Sequence, residues 1–250
     1  MAMLDGKVAV VYGAGGPIGG AMARAFGREG ARVFLAGRTR TRLDAVAEEI
    51  RGAGGRAEPV VVDALDEAAV GACVDGVVER AGRIDISANV IGLGDVQQPL
   101  LEISLADFLQ PITNAMRTQF LTTRAAARHM RRQRAGVVIA FGGDGPQTLP
   151  GLGGFKVALD AMEGLRRQWA CELGEYGIRV VTLRSGGVPE TLPAGFPGRE
   201  EIIASLVEPT LLRRAATLAD VGNVAAFVAS DLAASITSTE INISCGAIVD

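Results

Sequence analysis

The chain has 250 residues, 48% of them hydrophobic and 21% charged, with a formal net charge of −3. That balance fits one α/β domain over residues 1–250, and it gives no reason to expect nucleic acid or an acidic membrane as partner. Cys73, Cys171 and Cys245 are scattered without metal-ligand spacing, and no apolar stretch approaches the roughly 20 residues of a membrane span, so buried thiols, no metal and a cytoplasmic location are expected.

Short runs rich in Val and Ile alternate with longer segments whose apolar residues recur at helical spacing. The first run, Lys7 to Tyr12, leads into Gly13-Ala14-Gly15-Gly16-Pro17-Ile18-Gly19 and then a helical pattern from Ala21 to Glu29. Glycines between a strand and a helix let the backbone turn tightly and approach a pyrophosphate, while the helix offers free N–H groups and the positive end of its dipole. This turn is therefore expected to bind a nucleotide through Gly13, Gly16, Ile18 and Gly19. The second strand, Arg32 to Ala36, is followed by Gly37-Arg38, where an NAD-preferring site would carry an acidic residue for the ribose hydroxyls. A guanidinium there grips a 2′-phosphate that a carboxylate would repel, so NADP is expected over NAD.

A helix from Arg40 to Arg51 and a strand from Pro59 to Val62 come next, the latter closing on Asp63. A helix from Asp66 to Ala81, a strand from Ile84 to Ala88 and a long helix from Leu105 to Arg132 follow. The five arginines between Arg124 and Arg134 are read as that helix's solvated end, and the lone His129 beside them is given no catalytic role. Strand five, Val137 to Phe141, runs into Gly142-Gly143-Asp144, and a helix is expected from Ala158 to Tyr176. Strand six, Ile178 to Leu183, opens into Arg184 to Arg199 (RSGGVPETLPAGFPGR), whose length and position at a strand's carboxyl end suggest a substrate-covering loop. Strand seven runs from Glu240 to Ile243. Seven strands alternating with helices imply right-handed crossovers and a doubly wound parallel sheet with helices on both faces, the Rossmann fold.

With these elements in place the whole chain resembles the short-chain dehydrogenase/reductase family. Its glycine loop departs from the usual T-G-x-x-x-G-x-G at Tyr12 and Pro17, while Gly13, Gly16 and Gly19 keep the G-x-x-G-x-x-G spacing of extended members. The resemblance implies that Asp63 contacts adenine and that Asn89-Val90-Ile91-Gly92 lies beside the adenosine ribose, with Asn89 and Gly92 at the cofactor. It implies that Val188 meets the nicotinamide carboxamide through its backbone. Of the four residues that carry the family's proton relay, Asn114 matches the Asn, and Lys156 matches the Lys of Y-x-x-x-K that also binds the ribose. The Tyr position holds Leu152 and the Ser position holds Gly143. Assembly is implied too, since relatives pair their fourth and fifth helices across a two-fold axis to give dimers and tetramers.

Leu and Gly neither donate a proton nor stabilise an alkoxide, so carbonyl chemistry here needs another acid. Asp144, at the carboxyl end of strand five, is the best-placed candidate, with Gln147 and Arg184 expected nearby in this arrangement to bind a polar ligand without protonating it. Three classes stay open on the sequence: an oxidoreductase of small carbonyl or hydroxyl substrates with an atypical active site, a non-redox enzyme on the same fold, and a silent NADP-binding or assembly subunit.

Overall fold

The structure, a computed structural model, describes residues 2–142 and 148–249. Its sheet has seven strands in the order β3-β2-β1-β4-β5-β6-β7, every neighbouring pair parallel. They are β1 (Val8–Tyr12), β2 (Arg32–Gly37), β3 (Arg56–Val61), β4 (Ile86–Asn89), β5 (Gly136–Phe141), β6 (Ile178–Arg184) and β7 (Thr239–Asn242). The chain winds outward one way from β1 to β3, then returns past β1 to β4 and winds the other way. The doubly wound expectation is thus met, and the reversal between β1 and β4 opens a crevice at the strands' carboxyl ends.

Helices cover both faces. Side chains alternate along a strand, so Ala9 and Val11 of β1 point into one layer and Val8, Val10 and Tyr12 into the other. The first layer is closed by α1 (Pro17–Arg28), α2 (Arg40–Gly52) and α7 (Leu218–Ala229), through residues such as Phe26, Leu43 and Val221. The second is closed by α3 (Glu67–Ala81), α4 (Leu105–Gln133) and α5 (Gly154–Leu173), through Val74, Met130 and Leu173. Burial on both faces explains why the central strands read as continuous apolar runs.

The helix boundaries have local causes. Asp66 caps α3 by accepting from Ala69 N, and Ser104 caps α4 by accepting from Asp107 N. Thr217 and Asp220 form a reciprocal capping box at the start of α7. Helix α1 starts at Pro17, four residues before the apolar periodicity, because proline at the first helical position loses only an N–H that has no partner anyway. Strand β3 likewise starts at Arg56 rather than Pro59; it is an edge strand, where polar residues and a proline are tolerated. The segment after β6 is not one open loop. A 3₁₀ turn at Pro189–Thr191 interrupts it, and Arg199 begins a further helix, α6 (Arg199–Val207), which the mixed Pro/Gly composition concealed.

Two helices approach closely where α5 begins. A Cβ on Gly154 would lie 1.9 Å from the carbonyl oxygen of Phe108 in α4, a backbone atom that cannot rotate aside. Gly164, two to three turns further on and exposed, faces open space. Gly154→Ala should therefore destabilise the protein by roughly 1–3 kcal/mol through overpacking, while Gly164→Ala should stabilise it by about 0.5–1 kcal/mol through helix propensity. Urea unfolding midpoints check both; equal shifts would contradict this account of α4–α5 packing.

Candidate functional site

Gly13 follows β1 directly and holds φ +80°, a left-handed conformation that favours glycine. A Cβ there would sit 2.3 Å from the carbonyl oxygen of Val90, just past β4, and a Cβ on Gly19 would sit 2.3 Å from the carbonyl oxygen of Gly13. The two glycines therefore let β1, the β4 turn and α1 meet at one point. Gly16 caps α1 without a side chain, its N–H donating to Gly13 O at 3.0 Å, and no acidic residue stands in the first turn. The positive end of α1 is left facing the crevice, as an anion requires.

A cavity of about 400 Å³ opens from this turn. Its walls include Gly13, Gly15 and Gly16; Gly37 at the end of β2 and Arg38, Thr39 and Arg42 beyond it; Asp63 beyond β3; Val90 to Gly92 beyond β4; and Gln110, Asn114 and Thr118 of α4. The cradle fits a dinucleotide: backbone approach that side chains would block, a helix end for phosphate, and cations at the β2 side. Of the residues expected from sequence, Gly13, Gly16, Arg38, Asp63, Gly92 and Asn114 are brought together here. Asn114 donates from Nδ2 to Leu93 O at 2.9 Å, which ties α4 to the segment after β4.

Other expected residues sit elsewhere. Asn89 is buried, donating to Thr122 Oγ1 at 3.1 Å and accepting from Ile91 N at 3.2 Å, so it shapes the Val90–Gly92 wall without lining it. Ile18 packs on the α1–α7 core, and Gly19 is buried against Gly13. Val188 is buried in that same layer, its carbonyl accepting from Thr191 N at 2.9 Å. Lys156 makes an ion pair with Asp160 at 2.8 Å and is not on the cavity wall. Asp144, Gly143 and Gln147 lie outside the described residues.

Leu152, read as the residue four before Lys156, precedes α5 and accepts from Phe155 N at 3.0 Å. The residues four apart that share the inward face of α5 are instead Phe155 and Leu159, packed with Leu93, Ala115, Ala140 and Met162. Both are apolar, so this face supplies no proton donor at those positions. Sequence reading missed Gly15, Thr39, Arg42, Gln110 and Thr118. The last two carried a signal: Gln110, Asn114 and Thr118 recur every four residues, one polar stripe on an otherwise apolar helix face.

Beneath the start of the 184–199 segment lies a charged cluster. Glu163 and Arg166 of α5 pair at 2.7 Å, and Arg184 of β6 pairs with Glu240 of β7 at 2.9 Å. Burial, and then the neighbouring Glu163 carboxylate, push Glu240 up to about 7. Burial also raises Glu163, but hydrogen bonds from Glu240, Arg166 and Thr182 outweigh it and leave Glu163 lowered. The two carboxylates thus hold one proton between them near neutral pH.

The crevice, the phosphate turn and the seven-stranded order define a dinucleotide-binding protein of the Rossmann class. A family model described as enoyl-(acyl carrier protein) reductase matches residues 13–247. The (5R,7aS)-5-hydroxy-7a-methyl-1-oxo-2,3,5,6,7,7a-hexahydro-1H-indene-carboxyl-CoA reductase of Mycobacterium tuberculosis (strain ATCC 25618 / H37Rv) is 32% identical over 247 residues, covering 97% of this chain and 94% of its own. Meso-2,3-butanediol dehydrogenase of Serratia marcescens is 32% identical over 249 residues, covering 97% and 95%. A solved structure of 7α-hydroxysteroid dehydrogenase complexed with NADH and 7-oxo glycochenodeoxycholic acid aligns with a TM-score of 0.90 at 26% identity, over 100% of this chain and 97% of its own. The chain belongs to the short-chain dehydrogenase/reductase family, a family of oxidoreductases that bind nicotinamide nucleotides. No helix among the described residues is long and apolar enough to cross a membrane.

The carboxylate pair makes stability depend on pH with a definite sign. A carboxyl raised from 4.5 to about 7 on folding favours the folded state fully below 4.5, and that contribution is lost as pH rises through 7. Glu240→Gln, which mimics the protonated group, should flatten the stability profile between about pH 5 and 8 and stabilise the protein at pH 8 relative to the parent. Thermal unfolding across that range is the check, and an unchanged profile would exclude Glu240 as the titrating group.

Proposed function

We propose that this chain is an NADP-dependent oxidoreductase of a small carbonyl or hydroxyl substrate, working through an atypical active site. The observation that carries the reading is the cavity wall at the β2 end. Arg38 stands there exposed, without a hydrogen bond or ion pair among the described residues, and neither Gly37 nor Arg38 offers the carboxylate that an NAD ribose favours. Asp63, whose Oδ1 accepts from Leu65 N at 3.0 Å, holds the β3 turn on the adenine side. The silent-subunit and non-redox readings have no feature of their own here.

The bound nicotinamide would supply hydride transfer. Asn114 orients the segment after β4 and holds a water at the cavity floor; Lys156, on the first turn of α5, acts at the ribose once its Asp160 pairing is exchanged for the cofactor. Asp144 is the proton donor, because Phe155 and Leu159 offer none on the inward face of α5. The segment 184–199 covers the substrate, and Val188 meets the carboxamide through its backbone. The outer faces of α4 and α5 make the chain a homo-oligomer, dimer or tetramer: Phe120, 41% exposed, stacks on Trp169 at 5.7 Å across the two helices, and Leu109 and Val157 on them are also exposed. Of the three cysteines only Cys73 is buried; Cys171 is exposed and Cys245 half-buried, contrary to the expectation of buried thiols, and unpaired thiols of this kind fit a reducing cytoplasm.

Two measurements test this. Fluorescence titration should give a lower Kd for NADPH than for NADH, and Arg38→Ala should weaken NADPH about 10- to 100-fold, the range of a charge-assisted contact worth roughly 1.5–3 kcal/mol. Equal affinities in the parent protein would overturn the assignment to NADP. In a panel of aldehydes, ketones and quinones, simple ketones should be reduced about 10²- to 10⁴-fold more slowly than by a relative with a positioned Tyr acid. The residual rate should drop in Asp144→Asn and decline as pH rises and the carboxyl loses its proton. Fast ketone turnover that Asp144→Asn leaves intact would place the acid elsewhere.

A further inference from the structure

The arginines from β2 through α2 divide into two kinds. Arg40 is held by Asp44 through Nε at 2.8 and 2.9 Å, Arg32 by Glu58 at 2.6 Å, and Arg51 by the carbonyl of Ala57 at 2.9 and 2.6 Å. Arg38 and Arg42 line the cavity, and neither guanidinium makes a hydrogen bond or ion pair among the described residues. Among the described residues of the wall the one carboxylate is Asp63, whose Oδ1 accepts from Leu65 N. Two guanidiniums therefore share one rim with a single carboxylate, and the described wall carries an excess of positive charge.

Arg42 is placed by packing. It is the third residue of α2, and the next residue, Leu43, is buried and anchors the helix. The Arg42 Cβ lies 2.9 Å from where Gly15 would carry its own, so the stem of Arg42 runs directly over the glycine turn. Any side chain at residue 15 would have to displace that stem. The first turn of α2 also has no acidic residue, so the positive helix end adds to the uncompensated charge. Arg38 reaches the rim from the end of β2 and Arg42 from the first turn of α2, which is the arrangement of a two-pronged grip on a doubly charged phosphate monoester.

We infer that Arg42 is a second specificity-determining residue of the nucleotide site, acting with Arg38 on the cofactor's 2′-phosphate, and that residue 15 is glycine to admit the Arg42 side chain. This rests on the reading of the cofactor as NADP, and it adds a residue that neither the glycine motif nor the end of β2 pointed to. It also assigns Gly15 a different duty from Gly13 and Gly19: those two exclude side chains for the backbone's sake, Gly15 for that of Arg42.

The test measures binding, independent of turnover. Isothermal titration with 2′,5′-ADP, 5′-ADP, NADPH and NADH is run on the parent chain and on Arg42→Met, which keeps the stem and removes the charge. Arg40→Met, whose charge is already paired, serves as control, and Gly15→Ala is the second variant. Arg42→Met should weaken 2′,5′-ADP and NADPH at least 10-fold while 5′-ADP and NADH change less than 3-fold; Gly15→Ala should shift selectivity the same way, and Arg40→Met should do neither. If the parent prefers 2′,5′-ADP and Arg42→Met keeps that preference, the inference fails while the NADP reading stands. Equal loss of all four ligands would put Arg42 on the pyrophosphate and also overturn it. A parent that prefers 5′-ADP would remove the NADP reading and this inference together.

Discussion

The structure depends on one close approach, the contact of the Gly13 backbone with Val90 at the point where the sheet reverses direction. Val90 N donates to Tyr12 O at 3.0 Å, so the turn after β4 continues the ladder of β1 for one more residue. Gly13 can meet it only because no Cβ occupies the 2.3 Å gap. Gly19 then brings α1 down onto the same spot, which aims the helix's positive end at the crevice. Remove that meeting point and the phosphate turn, the cavity behind it and the register of α1 on the sheet all lose their reference.

The other half of the crevice is organised by α4 and α5. Gly154 allows α5 to begin against the backbone of Phe108, and from there its inward face carries Phe155 and Leu159 into the apolar cluster with Ala115 and Ala140. Polar groups are displaced to the flanks. On one flank the Gln110–Asn114–Thr118 stripe of α4 lines the cavity; on the other, Glu163 and Arg166 are sunk against β6 and β7, where Arg184 and Glu240 meet them. Sinking these groups is tolerable because each guanidinium faces a carboxyl group. The cluster sits at the root of the 184–199 segment, which Arg184 begins.

Much of this was readable from residues alone. The central strands, buried on both faces, must be apolar throughout and could be found as such, while the edge strands β3 and β7 showed only short Val/Ile runs in the same alternation, and with them came the parallel, doubly wound order. The glycine turn was legible for the same reason: glycine after a buried strand and before a helix has few uses besides a close backbone approach. The starts of α1, β3 and α6 were obscured where Pro and Gly break the periodicity without breaking the element.

What the sequence determined is the set of constraints that act between neighbours: alternation of strand and helix, the caps at Asp66, Ser104 and Thr217, the glycines of the turn, and a cation instead of an acid after β2. What only the tertiary structure decided is which side chains meet. Asn89 is tied to Thr122, 33 positions away; Lys156 lies against Asp160; and Arg42, featureless in sequence, is set over the nucleotide turn by its contact with Gly15. The reason is physical. A helix's periodicity tells which residues share a face, but the rotation of that face toward sheet, cavity or solvent is set by packing between elements distant in the chain, and Gly154 against Phe108 fixes it for α5 as Gly15 against Arg42 does for α2.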